Sequence, residues 1–125
     1  MLSSVLKLST DASDLGMGAV FDKCWWASPF DDSHLSFPIA WRELYAVVVA
    51  CRVWGHSLVS KRVLIVCDNE AIVFCVSNGT LKNVAIMDLI RSLFFVCAYY
   101  SFDVRCKHVP GVLNVGPDLL STLTS

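Results

Sequence analysis

Val63-Leu64-Ile65-Val66-Cys67-Asp68-Asn69 is the stretch on which the reading of this chain turns. Its apolar residues run without polar alternation, as in a strand buried on both faces. A carboxylate follows at once. Lys61-Arg62 precedes the run, and Asn69 to Val76 reads as a short helix stopped at Asn78-Gly79. In α/β sheets, sites form at the carboxyl ends of strands, which is where Asp68 falls.

Upstream, residues 4–10 read as a strand in which Val5, Leu6 and Leu8 lead to Thr10-Asp11. Asp14-Leu15-Gly16 is a turn, and Gly16 to Phe21 a returning strand whose two glycines imply close backbone approach or a bulge. Cys24 to Ala27 is a third strand, giving an antiparallel meander. Residues 28–40 read as loop. From Arg42 to Leu58 a helix is expected, with Leu44, Val47, Val48, Cys51 and Leu58 at helical spacing. Downstream, 83–100 forms a longer helix and 102–108 a last strand. Pro110-Gly111 breaks that strand, and Asn114 caps a final short helix whose first turn tolerates Pro117. The order β-β-β-α-β-α-α-β-α predicts an α/β fold: a mixed five-stranded sheet, meander first and parallel βα units after, flanked by helices.

The 125 residues suit one domain, 1–125, with no internal repeat. The first strand starts within a few residues of Met1, as expected of a domain cut from a longer polypeptide. The chain is 55% hydrophobic and 17% charged, against about 25% charged in ordinary soluble domains, so either the apolar surface is buried efficiently or part of it meets a partner. Arg52, Asp88 and Arg91 interrupt every candidate membrane span, and no signal-peptide pattern is present. A net charge of −1 gives no global attraction to nucleic acid, which argues against a free-standing tight binder. Six cysteines, with no Cys-x-x-Cys pair and most inside apolar runs, read as free thiols of an intracellular, reducing compartment. No standard zinc spacing is present.

Four carboxylates carry the functional argument. Asp11 and Asp68 close strands that emerge at one sheet edge if they are parallel neighbours. Glu43 and Asp118 are expected in the first turns of their helices. Any one of them is explained as a cap or a helix-dipole partner. Four together would repel one another and raise each other's pKa values. Divalent cations relieve that repulsion, and oxygen-only ligands suit Mg²⁺ or Mn²⁺.

Thr10-Asp11-Ala12-Ser13, Gly16-Met17-Gly18-Ala19, Trp41-Arg42-Glu43-Leu44-Tyr45-Ala46, Cys67-Asp68-Asn69 and His108-Val109-Pro110-Gly111…Asn114…Asp118-Leu119-Leu120-Ser121 follow one another over nearly the whole chain. In that order they resemble the ribonuclease H domain of retroelement reverse transcriptases. Asp68-Asn69 with the His-Val-Pro-Gly ending is most similar to tyrosine-recombinase, DIRS-like retrotransposons, where the domain follows a reverse transcriptase. The resemblance implies a ribonuclease H-like fold and hydrolysis of the RNA strand of RNA–DNA hybrids. It implies that Asp11, Glu43, Asp68 and Asp118 hold two Mg²⁺ ions, with Mn²⁺ a substitute. A metal-bound water would attack the phosphodiester, leaving a 3′-hydroxyl and a 5′-phosphate. His108, on a mobile loop, would assist proton transfer or product release. Ser13 and Asn69 would contact the substrate backbone. The basic helical insertion of cellular ribonucleases H is missing, so affinity would come from the polymerase domain.

Two other readings use the same residues: a catalytically silent structural module, and a related metal-dependent DNA nuclease indifferent to the 2′-hydroxyl. The helix at 83–100 is apolar on nearly all faces, from Val84 to Tyr100, which predicts burial all round and docking of part of it on an upstream reverse-transcriptase domain or a second copy.

Overall fold

The computed structural model describes residues 5–13, 16–21, 23–78 and 84–109. Strands β1 (Val5–Ala12), β2 (Gly16–Phe21) and β3 (Cys24–Pro29) are followed by helices α1 (Asp32–Leu35), α2 (Ile39–Val53) and α3 (Gly55–Leu58). Strand β4 (Arg62–Cys67), helices α4 (Glu70–Asn78) and α5 (Val84–Tyr100) and strand β5 (Asp103–His108) complete the described fold. The five strands form one sheet in the order β3-β2-β1-β4-β5. The first three pair antiparallel, whereas β1 with β4 and β4 with β5 pair parallel. The expected mixed sheet is therefore the one formed.

Alternation along β1 buries Leu8, Thr10 and Ala12 and leaves Ser9 and Asp11 half-covered on the other face. In β4 the central position removes the alternation: Val63, Ile65, Val66 and Cys67 are all buried. Helix α2 lies on β1 and β2 and packs against α5. It inserts Leu44, Val47, Val48 and Cys51, which join Leu8, Ile65, Ile72, Ile90 and Leu93 in one core. Fully burying side chains of this size is worth roughly 1.5–3 kcal/mol each, so this layer holds the sheet edge in place.

Three local expectations are corrected. The β1–β2 ladder runs from Leu8↔Phe21 to Ala12↔Met17 without a bulge. The loop 28–40 contains the short helix α1, where Asp31 and His34 close a capping box. The helix expected from Arg42 to Leu58 begins earlier, after Pro38, and breaks at Trp54, whose φ of −104° and ψ of 13° leave the helical region. Pro38 suits a helix start because it has no N–H to leave unpaired. After the break, the Tyr100 ring occupies the space that a Cβ on Gly55 would need. Helix α5, expected to be covered on all sides with part of it docked on a partner, buries one face within the domain through Ile86, Leu89, Ile90, Leu93, Val96 and Cys97. Its other side exposes Val84, Phe94, Phe95 and Tyr99. The final short helix expected after Asn114 lies outside the described residues.

Candidate active site

Asp11 and Asp68 come together because of strand register. Leu8 pairs with Ile65 and Ser9 with Val66 in the parallel β1–β4 ladder. Carrying that register two residues further sets Asp11 opposite Asp68. Asp11 is still inside β1, paired with Gly18 of β2 on its other side, so the strand runs one residue past the carboxylate. Asp68 directly follows β4. Glu43 arrives from α2. It is the fifth residue of that helix and not a first-turn residue as the sequence suggested, because the helix starts at Ile39.

The electrostatics of the two shifted carboxyls follows from this placement. Burial raises the Asp11 carboxyl above its ordinary value; the Ala12 N–H, which donates to Oδ1 at 2.9 Å, opposes this, and the charge of Asp68 adds to it. Burial also raises Glu43, against the hydrogen bond from Asn69 and the charge of Arg42, with Asp11 and Asp68 both raising it further. Asp68 thus acts on Asp11, and both act on Glu43, at one edge of the sheet.

Asn69 spans two elements. Its Oδ1 accepts from the backbone N–H of Ala71 at 2.9 Å and of Ile72 at 3.3 Å, the bonds of an N-cap on α4. Its Nδ2 donates to Glu43 Oε2 at 2.5 Å. His108 is the last residue of β5 and so stands on a strand, not on a loop. Its Nε2 lies 3.4 Å from Asp68 Oδ1, and its Nδ1 lies 3.6 Å from Glu70 Oε1. Glu70 was missed in the sequence because an exposed acid in a first helical turn reads as a dipole partner. Ser13 donates its N–H to Gly16 O at 2.8 Å and accepts from Arg42 Nη1 at 3.3 Å on its carbonyl.

Arg42 was also missed. It is 8% exposed and its guanidinium lies 5.7 Å from the Phe30 ring centroid. The available signal was a cation directly beside Glu43 at the start of an apolar helix. Trp41, the neighbour on the other side, is a packing residue: it stacks on Phe37 at 4.2 Å and on Tyr45 at 5.0 Å. Asp118 lies outside the described residues.

The donor set, carboxylate oxygens only, is of the kind a hard divalent cation takes; burial is the main cause that raises Asp11 and Glu43, and neighbouring carboxylate charge adds to it. Among the described residues, no three His, Cys, Asp or Glu side chains close on one point tightly enough to hold an ion. Cys67 and Cys106, on the core side of the same edge, have sulfurs 3.8 Å apart and are free thiols. Among the described residues no helix is long and apolar enough to cross a membrane.

The fold has solved relatives. The compost metagenome enzyme LC11-RNase H1 is 14% identical with a TM-score of 0.70 over 100% of both chains. RNase H1 of the halophilic archaeon Halobacterium salinarum is 9% identical with a TM-score of 0.72, over 95% of this chain and 99% of that one. The foamy viral protease-reverse transcriptase, solved with an RNA/DNA hybrid, is 18% identical with a TM-score of 0.58, over 91% of this chain and 18% of that one. At these identities the likeness shows the fold alone. No curated protein matches the sequence. Residues 2–99 match the family described as the RNase H-like domain found in reverse transcriptase. The chain belongs to that family of reverse-transcriptase RNase H-like domains.

Proposed function

We propose that this domain is a divalent-metal-dependent endoribonuclease that hydrolyses the RNA strand of RNA–DNA hybrids during reverse transcription. One observation carries the reading: parallel neighbours β1 and β4 bring Asp11 and Asp68 to one edge, where Glu43 meets them. Asp11, Glu43, Asp68 and Asp118 would hold two Mg²⁺ ions, or Mn²⁺ in their place. Bound there, such ions stabilise charge on the phosphodiester and make water a stronger nucleophile. His108, 3.4 Å from Asp68, holds or passes a proton beside the reacting phosphate. Ser13 and Asn69 contact the substrate backbone. The products are a 3′-hydroxyl and a 5′-phosphate. RNA is told from DNA by its 2′-hydroxyls and by hybrid shape, with no sequence readout.

The foamy viral relative supports a setting in which the domain follows a polymerase. The exposed Phe94, Phe95, Tyr99 and Val84 on α5 support docking of that helix on the polymerase. Asp68-Asn69 with His108-Val109-Pro110-Gly111 supports an origin in a tyrosine-recombinase retrotransposon, and four buried thiols support a reducing compartment.

The test is cleavage of a labelled RNA–DNA hybrid in Mg²⁺ and in Mn²⁺, beside the matching DNA duplex. Wild type should cut the RNA strand of the hybrid alone, and Asp68→Asn should lose about 10³-fold or more in rate with its fold intact. Equal cutting of the DNA duplex would make it a DNA nuclease. No cutting with either metal would make it a structural module of its polymerase.

A further inference from the structure

We infer that Asn69 is a positioning residue: its one side chain caps α4 and orients the Glu43 carboxylate, so that helix start and site geometry are a single device. The inference rests on the nuclease reading above for its consequence in catalysis, and on hydrogen bonding alone for the link itself.

The two ends of the amide do different work. Oδ1 accepts from the N–H of Ala71 and of Ile72, two of the donors that a helix start leaves without intrahelical partners. Nδ2 then points across to Glu43 Oε2, on a helix that precedes it by 26 residues. The amide has no sensible alternative orientation. Turned over, its NH₂ would meet two N–H groups and its carbonyl would meet a carboxylate, both repulsive. Cap and link therefore fix each other.

Residue type narrows the role further. Serine, threonine, aspartate and asparagine all cap helices well. Serine and threonine are too short to hold both contacts, and aspartate offers no donor. Asparagine alone among them caps with one end and donates with the other. The link matters because Glu43 has three side-chain torsions and sits among the repelling charges of Asp11 and Asp68. Without a donor on Oε2 the carboxylate would swing away from them. Engaging one oxygen leaves the other for the centre, and the second Nδ2 hydrogen remains available to the substrate backbone.

The test separates cap from link. Asn69→Ser keeps a capping oxygen and loses the reach; Asn69→Ala loses both. In metal-free protein, a double-mutant cycle of Asn69→Ser with Glu43→Ala is read by urea unfolding. Non-additivity of about threefold to tenfold in the unfolding constant is expected. Additive effects would overturn the link. On the hybrid, Asn69→Ser should lower kcat by about tenfold or more, with the loss falling more heavily on kcat than on KM. A loss confined to KM, or none, would overturn the positioning role and leave a substrate contact or a plain cap. If wild type cleaves no hybrid, the nuclease reading fails by itself, and the metal-free cycle still decides whether Asn69 holds Glu43.

Discussion

Two stretches of the same strand pair follow opposite rules. Leu8 and Ile65 pair across β1 and β4 and are both fully buried. Three residues further along, the same strands deliver Asp11 and Asp68, whose surroundings disfavour ionisation of Asp11. The first stretch exists to be stable; the second lowers stability in return for concentrated negative charge. Their closeness is useful, because a rigid buried ladder fixes where the carboxylates emerge.

The contrast can be broken from either side. Asp68→Asn, with the cleavage loss given above, should leave the unfolding midpoint nearly unchanged. Ile65→Ala should do the reverse. Truncating a fully buried side chain costs about 2–5 kcal/mol, measured by urea unfolding, while cleavage per folded molecule stays near wild type. A cleavage defect in folded Ile65→Ala as deep as that of Asp68→Asn would mean that core and site are not separable. Gly55→Ala tests the same separation from the far side of the core. A methyl there collides with the Tyr100 ring and should cost about 1–3 kcal/mol of stability without altering kcat of the folded enzyme.

The smallest expected effect is a pH dependence. Asp11 and Glu43 have folded-state values raised from ordinary values of 3.8 and 4.5. A folded state that holds protons more tightly than the unfolded one loses stability as pH rises. Their contribution is therefore fully present below those ordinary values and is lost as pH rises through the folded ones. In metal-free protein, Asp11→Asn should match wild type more closely at acid pH. It should gain on wild type toward neutrality, by on the order of 1 kcal/mol or less. Paired urea titrations across that range measure the difference. A constant offset at all pH values would show that Asp11 ionises in the fold as easily as in the unfolded chain.

Much of this was legible in the sequence, for identifiable reasons. The unbroken apolar run before Asp68 announced a central strand, because only a strand covered on both faces lacks alternation. The position of Asp68 just past a strand end followed from that, whereas Asp11, read as closing its strand, is followed by one more strand residue. What escaped was set partly by local ambiguity and partly by tertiary contacts. The start of α2 at Ile39 depends on Pro38, whose helix-starting role competes with its ordinary reading as a loop residue. Gly55 against Tyr100 joins two helices far apart in sequence. Asn69 carried its capping signal openly, but its bond to Glu43 depends on how α2 crosses the sheet. For α5 the sequence showed apolar residues on nearly all faces, but periodicity does not tell which face the core covers and which is left open to solvent.

The most direct measurement is thermal unfolding of wild type and Asp11→Asn, with and without Mn²⁺, at neutral pH. Metal-free, Asp11→Asn should be the more stable of the two. With Mn²⁺ at about ten times its Kd, wild type should gain about 1.4 kcal/mol and Asp11→Asn far less. A wild type indifferent to Mn²⁺, or an equal gain in both proteins, would contradict a carboxylate edge built to hold cations.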